Sequence, residues 1–146
     1  MTPPLPLTEL PKDRLQRLEN LHQALIEVLD LAKPMARDCG TQILVALPAH
    51  LPPLAILPEV FRQLLLGLLA PVLALSCGDA TTLQVRLASD VVEFEARSVR
   101  SNKDHQLDPA AFTALRLRIE EVLGDLKDTS TPAEPALCMR LPVALG

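Results

Sequence analysis

The run Pro58-Glu-Val-Phe-Arg-Gln-Leu-Leu-Leu-Gly-Leu-Leu-Ala-Pro-Val-Leu-Ala-Leu-Ser76 is apolar almost all the way round a helical wheel. It is therefore predicted to be a buried helix, entered through a proline in its first turn. Its apolar stretch Leu64 to Leu75 contains Gly67 and Pro71 and falls well short of the ~20 residues of a membrane span.

Reading upstream, Pro11 to about Asp38 has helical spacing. Leu15, Leu18, Leu21, Leu25, Val28, Leu29, Ala32 and Met35 recur at three- and four-residue steps between charged residues. Pro34 either kinks its last turns or marks an earlier end, and Gly40 is a plausible stop. Thr41 to Leu47 is a short β-type run, ended by the Pro- and Leu-rich stretch 48–58. Downstream, Cys77-Gly78-Asp79 is a turn, and Thr81–Ala88 and Val91–Ala96 alternate as strands around a tight Ser89-Asp90 connection. A polar loop spans 97–108. Asp108 caps a third helix with Pro109 in its first turn and Phe112, Leu115, Ile119, Val122 and Leu123 in one stripe. A second polar loop covers 124–135, and Ala136–Ala144 is a closing strand with Pro142 at its edge. The order α-β-α-β-β-α-β predicts an α/β (α+β) two-layer sandwich, a mixed sheet with three helices on one face. Residues 1–9 form a Pro-rich lead-in and 10–146 a single domain.

Composition narrows the function. The chain has 146 residues, a net charge of −4, 14 prolines against 5 glycines, no Trp or Tyr, and only Phe61, Phe94 and Phe112 as aromatics. Leucine makes up roughly a fifth of it. Few glycines leave few places where backbone can approach a phosphate closely. A negative balance without a Lys/Arg block, and almost no stacking side chains, argue against nucleic-acid binding. Cys39, Cys77 and Cys138 are odd in number and far apart, so neither a disulfide framework nor a zinc knuckle is expected, and a reducing cytoplasm fits. The opening Met1-Thr-Pro-Pro lacks the pattern of a signal peptide and reads as a natural start.

The element order and local strings resemble the ATP-binding domain of sensor histidine kinases, the GHKL (Bergerat) fold. The segments carrying the resemblance are Lys33 to Leu51-Pro52, Pro58 to Ser76, Ala114 to Asp125 and Leu137-Cys-Met-Arg-Leu-Pro142, within residues 25 to 145. The resemblance implies a family asparagine box on the buried helix, which holds the Mg²⁺ of ATP through side-chain oxygens. Its two asparagine positions fall on Gly67 and Pro71, which offer no such ligand. The family's adenine-reading aspartate falls near Ser98, and its phosphate-wrapping glycines fall on Arg100 and its neighbours. The final helix lacks its leading Gly-Leu-Gly. The expectation is a chain that keeps the fold and has lost ATP, with no cofactor, no metal site and no catalytic residue.

Three further features bear on partners. His22 is a weak phospho-acceptor candidate on the first helix, but Gln23 rather than an acid follows it. The seam Leu15, Leu18, His22, Leu25, Leu29, Ala32 either packs on the domain's own sheet or projects within helix 11–38 to form a homodimer. Arg97, Arg100 and Lys103 lend the loop a positive character, either simply solvated or suited to an acidic protein surface. The expected role is a non-catalytic protein-interaction or regulatory module in bacterial signalling. Its partner would be a response regulator or a kinase, with no nucleic acid and no membrane. The alternatives are a histidine phosphotransfer protein, a divergent sensor-kinase catalytic domain with residual ATP binding, and a C-terminal piece of a longer sensor kinase.

Overall fold

A computed structural model describes residues 17–76, 80–99 and 107–144. Its elements run α1 (Leu21–Asp38), β1 (Gln42–Ala46), α2 (Pro58–Ala74), β2 (Ala80–Ala88), β3 (Val91–Arg97), α3 (Pro109–Glu121), β4 (Asp125–Asp128) and β5 (Ala136–Pro142). The strands form one sheet in the order β1-β2-β3-β5-β4; β1 lies parallel to β2 and the other pairings are antiparallel. The three helices cover one face, so the predicted mixed two-layer sandwich is the observed one.

The core lies between α2 and the sheet. Phe61, Leu64, Leu65, Leu68, Leu69, Val72 and Leu73 of α2 are all fully buried. They meet Leu83, Phe94, Leu137, Met139 and Leu141 of the strands in one cluster. Phe61 and Phe94 stack at a 58° tilt with ring centroids 5.5 Å apart, tying α2 to the middle of the sheet. On strand β3 the alternation Val92, Phe94, Ala96 faces this core, while Glu93, Glu95 and Arg97 face the open side.

The first helix differs from the sequence reading. It begins at Leu21, where the Asn20 side chain accepts a 3.0 Å hydrogen bond from the Gln23 amide. Leu18 is not helical; its backbone pairs with Leu54, which pairs in turn with Val143. The 18 residues of α1 span about 27 Å, against the ~40 Å of the longer helix. Its core-facing stripe is Leu21, Leu25, Val28, Ala32 and Ala36. Leu18 and Leu25, at 5 % and 1 % exposure, are thus buried in the domain's own core and are not a projecting seam. Leu15 lies outside the described residues.

Two other corrections concern strands. The segment read as a polar loop after Gly124 contains β4, whose only apolar residue, Leu126, is buried. Arg97 is the last residue of β3 rather than the start of a loop. Gly124 itself is required where it stands. A Cβ there would sit 2.4 Å from the Arg140 carbonyl oxygen, because the chain enters β4 here close against its partner β5.

Candidate functional site

Nucleotide chemistry, if present, would gather on the half-buried face of α2 and at the neighbouring strand ends. That face carries Leu66, Gly67, Ala70 and Pro71. Helix α3 lies against it: a Cβ built on Gly67 would be 3.0 Å from Leu115 Cδ1. Leu115 is 8 % exposed, so the space beside Gly67 is filled by an apolar side chain. Arg118 of α3 donates to Gln63 of α2 one turn earlier, pinning the two helices together on the same side. Pro71 continues the helix but has no N–H to give to the Gly67 carbonyl.

At the adjoining strand ends stands a chain of buried hydroxyls. Thr81 Oγ1 donates to Ser98 Oγ at 3.1 Å, and Ser98 Oγ donates to Ser76 Oγ at 3.0 Å. Thr41 Oγ1 lies 3.3 Å from Thr81 Oγ1. All four residues are buried, and the Ser98 amide is held by the Pro135 carbonyl at 3.1 Å. Buried hydroxyls are costly unless they are paired, and here they satisfy one another. Ser98 is therefore a structural residue, and no carboxylate occupies its position. The sequence reading missed Thr41, Ser76 and Thr81. Their signal was polarity at strand and helix ends beside apolar runs.

The remaining sequence candidates are scattered. His22 is half-buried on the first turn of α1. Arg97 lies on the open sheet face, paired with Glu95 at 3.2 Å and Glu134 at 3.3 Å, and donates to the Thr129 carbonyl. Arg86 bridges Glu93 and Glu95 beside it, and Arg140 makes a two-pronged pair with Asp125 at 2.8 and 2.9 Å. This pair holds the Asp125 carboxyl below the usual carboxylate range. Cys138 lies within this face, and burial together with Glu93 and Glu95 pushes its thiol up, which makes it a poor nucleophile. The open face is thus charge-balanced within itself. Arg100 and Lys103 lie outside the described residues.

Among the described residues no three His, Cys, Asp or Glu side chains cluster to hold a metal ion, and no helix is long and apolar enough to cross a membrane. A groove of about 640 Å³ lies between α1 and β1, and one of about 500 Å³ lies between the β2–β3 turn and the end of α3. Neither is lined by Gly67, Pro71 or Ser98.

No protein-family model and no curated protein sequence matches the chain. Solved structures do. The Acinetobacter baumannii histidine kinase AdeS superposes with a TM-score of 0.72 at 13% identity, over 97% of this chain and 74% of that one. The catalytic domain of histidine kinase ThkA, in a nucleotide-free form, gives 0.70 at 13% identity, over 87% of this chain and 94% of that one. Full-length ShkA in complex with AMPPNP gives 0.68 at 16% identity, over 87% of this chain but 31% of that one. With the isolated catalytic domain of ThkA the match takes in most of both chains. The chain accordingly has the GHKL-type fold of histidine kinase catalytic domains.

Proposed function

We propose that this chain is a histidine-kinase-like domain that has given up ATP and serves as a protein-interaction module in bacterial signalling, in the cytoplasm and without a bound cofactor. The observation that carries this reading is the contact between α2 and α3 at Gly67. Where the resemblance calls for an oxygen ligand to Mg²⁺, there is no side chain, and Leu115 Cδ1 stands 3.0 Å from where one would begin. Pro71 supplies no oxygen at the second position, and the Ser98 hydroxyl is engaged with Ser76 and Thr81. A hard cation takes oxygen ligands, and neither of these two positions on α2 offers it a side-chain oxygen.

The partner in this reading is a protein, a response regulator or a kinase. Arg100 and Lys103 stay candidates for meeting an acidic surface. Arg97 is a weaker one, because its charge is already spent on Glu95 and Glu134. The second reading, a phosphotransfer protein, is kept in view by the half-exposed imidazole of His22. Radiolabel separates the two. Incubated with labelled ATP and Mg²⁺, or with a phosphorylated receiver domain, the chain is expected to acquire no label. Label that appears on the wild type and disappears in His22→Ala would replace the proposed reading with the second one.

A further inference from the structure

The two edges of the sheet are built in opposite ways. Edge strand β4 reads Asp-Leu-Lys-Asp, charged at every position but one. Edge strand β1 reads Gln-Ile-Leu-Val-Ala and carries no charge, no proline and no glycine. Charges are the usual guard against strand addition, and β1 lacks them. Its side chains are also unusually bare: Leu44 is 50 % exposed, Val45 37 % and the following Leu47 38 %. Beside the strand runs the larger groove, with Ile26, Leu29, Ile43 and Val45 as its apolar lining and Asp30 and Lys33 on its α1 wall. Ile26, at 53 % exposure, extends the apolar surface from strand to helix.

We infer that β1 is a homodimer edge, on which a second copy of this chain adds its own β1 antiparallel to make one continuous sheet. Self-pairing about Leu44 sets Ile43 opposite Val45 on the helix side, and Leu44 opposite Leu44 and Gln42 opposite Ala46 on the other. Every cross-strand pair is then uncharged and most are apolar, the kind that stabilises a ladder. The same twofold runs the two α1 helices in opposite directions, so Asp30 of each copy comes toward Lys33 of the other. The in-chain Asp30–Lys33 pair, 3.2 Å and well exposed, can be exchanged for that contact at little cost. The chain's own N-terminal segment is a poor occupant. Pro3, Pro4, Pro6 and Pro11 each lack the N–H that strand addition uses.

This assignment deepens the interaction-module reading but stands on different observations. Mass tests the dimer edge, whereas nucleotide and label assays test the loss of chemistry. Sedimentation of the full chain over a wide concentration range is expected to show a particle of twice 15.9 kDa at high concentration. Val45→Lys, which sets a charge opposite the apolar Ile43 of the second copy and a like charge diagonally across the twofold, is expected to weaken association by about tenfold or more with the thermal midpoint of the monomer kept. Should that variant fail to fold, Leu44→Lys on the opposite side of the strand reads the same interface. Leu31→Lys, exposed on α1 but away from the groove, is expected to leave the dimer intact. A particle of single-chain mass at every concentration would overturn the inference, as would a dimer indifferent to both strand substitutions.

Discussion

Phe94→Ala is expected to destabilise the domain by about 3–5 kcal/mol, read as a fall in the urea midpoint with little change in slope. Phe94 is fully buried at the centre of β3, with strands on both sides and the Phe61 ring 5.5 Å away on α2. The chain has only three aromatic residues, and two of them make this contact. Aliphatic side chains, leucine foremost, fill the rest of the core and can shift rotamers, but none restores a ring between sheet and helix. Removal leaves a cavity lined by α2, the element that holds the other layer together. Phe94→Leu should recover most of the loss, since it restores volume without the ring–ring term of about 0.5–1.5 kcal/mol. A cost below about 1 kcal/mol for Phe94→Ala would mean that the core does not hinge on α2.

The second large effect concerns the family asparagine position. Gly67→Asn is expected to cost roughly 1–3 kcal/mol, because the new Cβ meets Leu115 Cδ1 at 3.0 Å and the amide beyond it enters an apolar contact. Leu115→Ala alone is expected to cost roughly 2–3 kcal/mol for the lost packing. Combined, the two should cost less than their sum by about 0.5–3 kcal/mol, since each relieves the other. Denaturant unfolding of the four proteins in the cycle measures this coupling. Strict additivity would show that Leu115 does not occupy the space in question, and the filled-pocket account would fall with it.

Much of the architecture was readable because local signals and tertiary needs agree. Pro58 opens α2, Asp108 accepts from the Ala110 amide and caps α3, and the Val91–Arg97 alternation sets β3 in register with β2. The start of α1 was misread because the leucine spacing carries on through Leu18 without a break, although Leu18 is not helical. The better signal was Asn20 followed by Gln23, a side-chain cap at the correct spacing. Strand β4 escaped notice because four residues with one apolar position give no periodicity. It exists because β5 would otherwise expose its far side. In the candidate site, absence was legible: no oxygen at Gly67 or Pro71, no carboxylate at Ser98. What replaces it was not, since Leu115 and the Thr41–Thr81–Ser98–Ser76 hydroxyls converge from segments far apart in sequence. Single-sequence periodicity says which face is apolar, but not which neighbour fills it.

The central claim is that this fold persists with its nucleotide site closed. The most direct measurement is the thermal midpoint of the full chain titrated with ATP and Mg²⁺. A ligand bound at 100 times its Kd would add about 2.7 kcal/mol and raise the midpoint by several degrees in a domain of this size. A flat titration up to millimolar nucleotide is the predicted result. A saturable rise of several degrees that requires Mg²⁺ would contradict it.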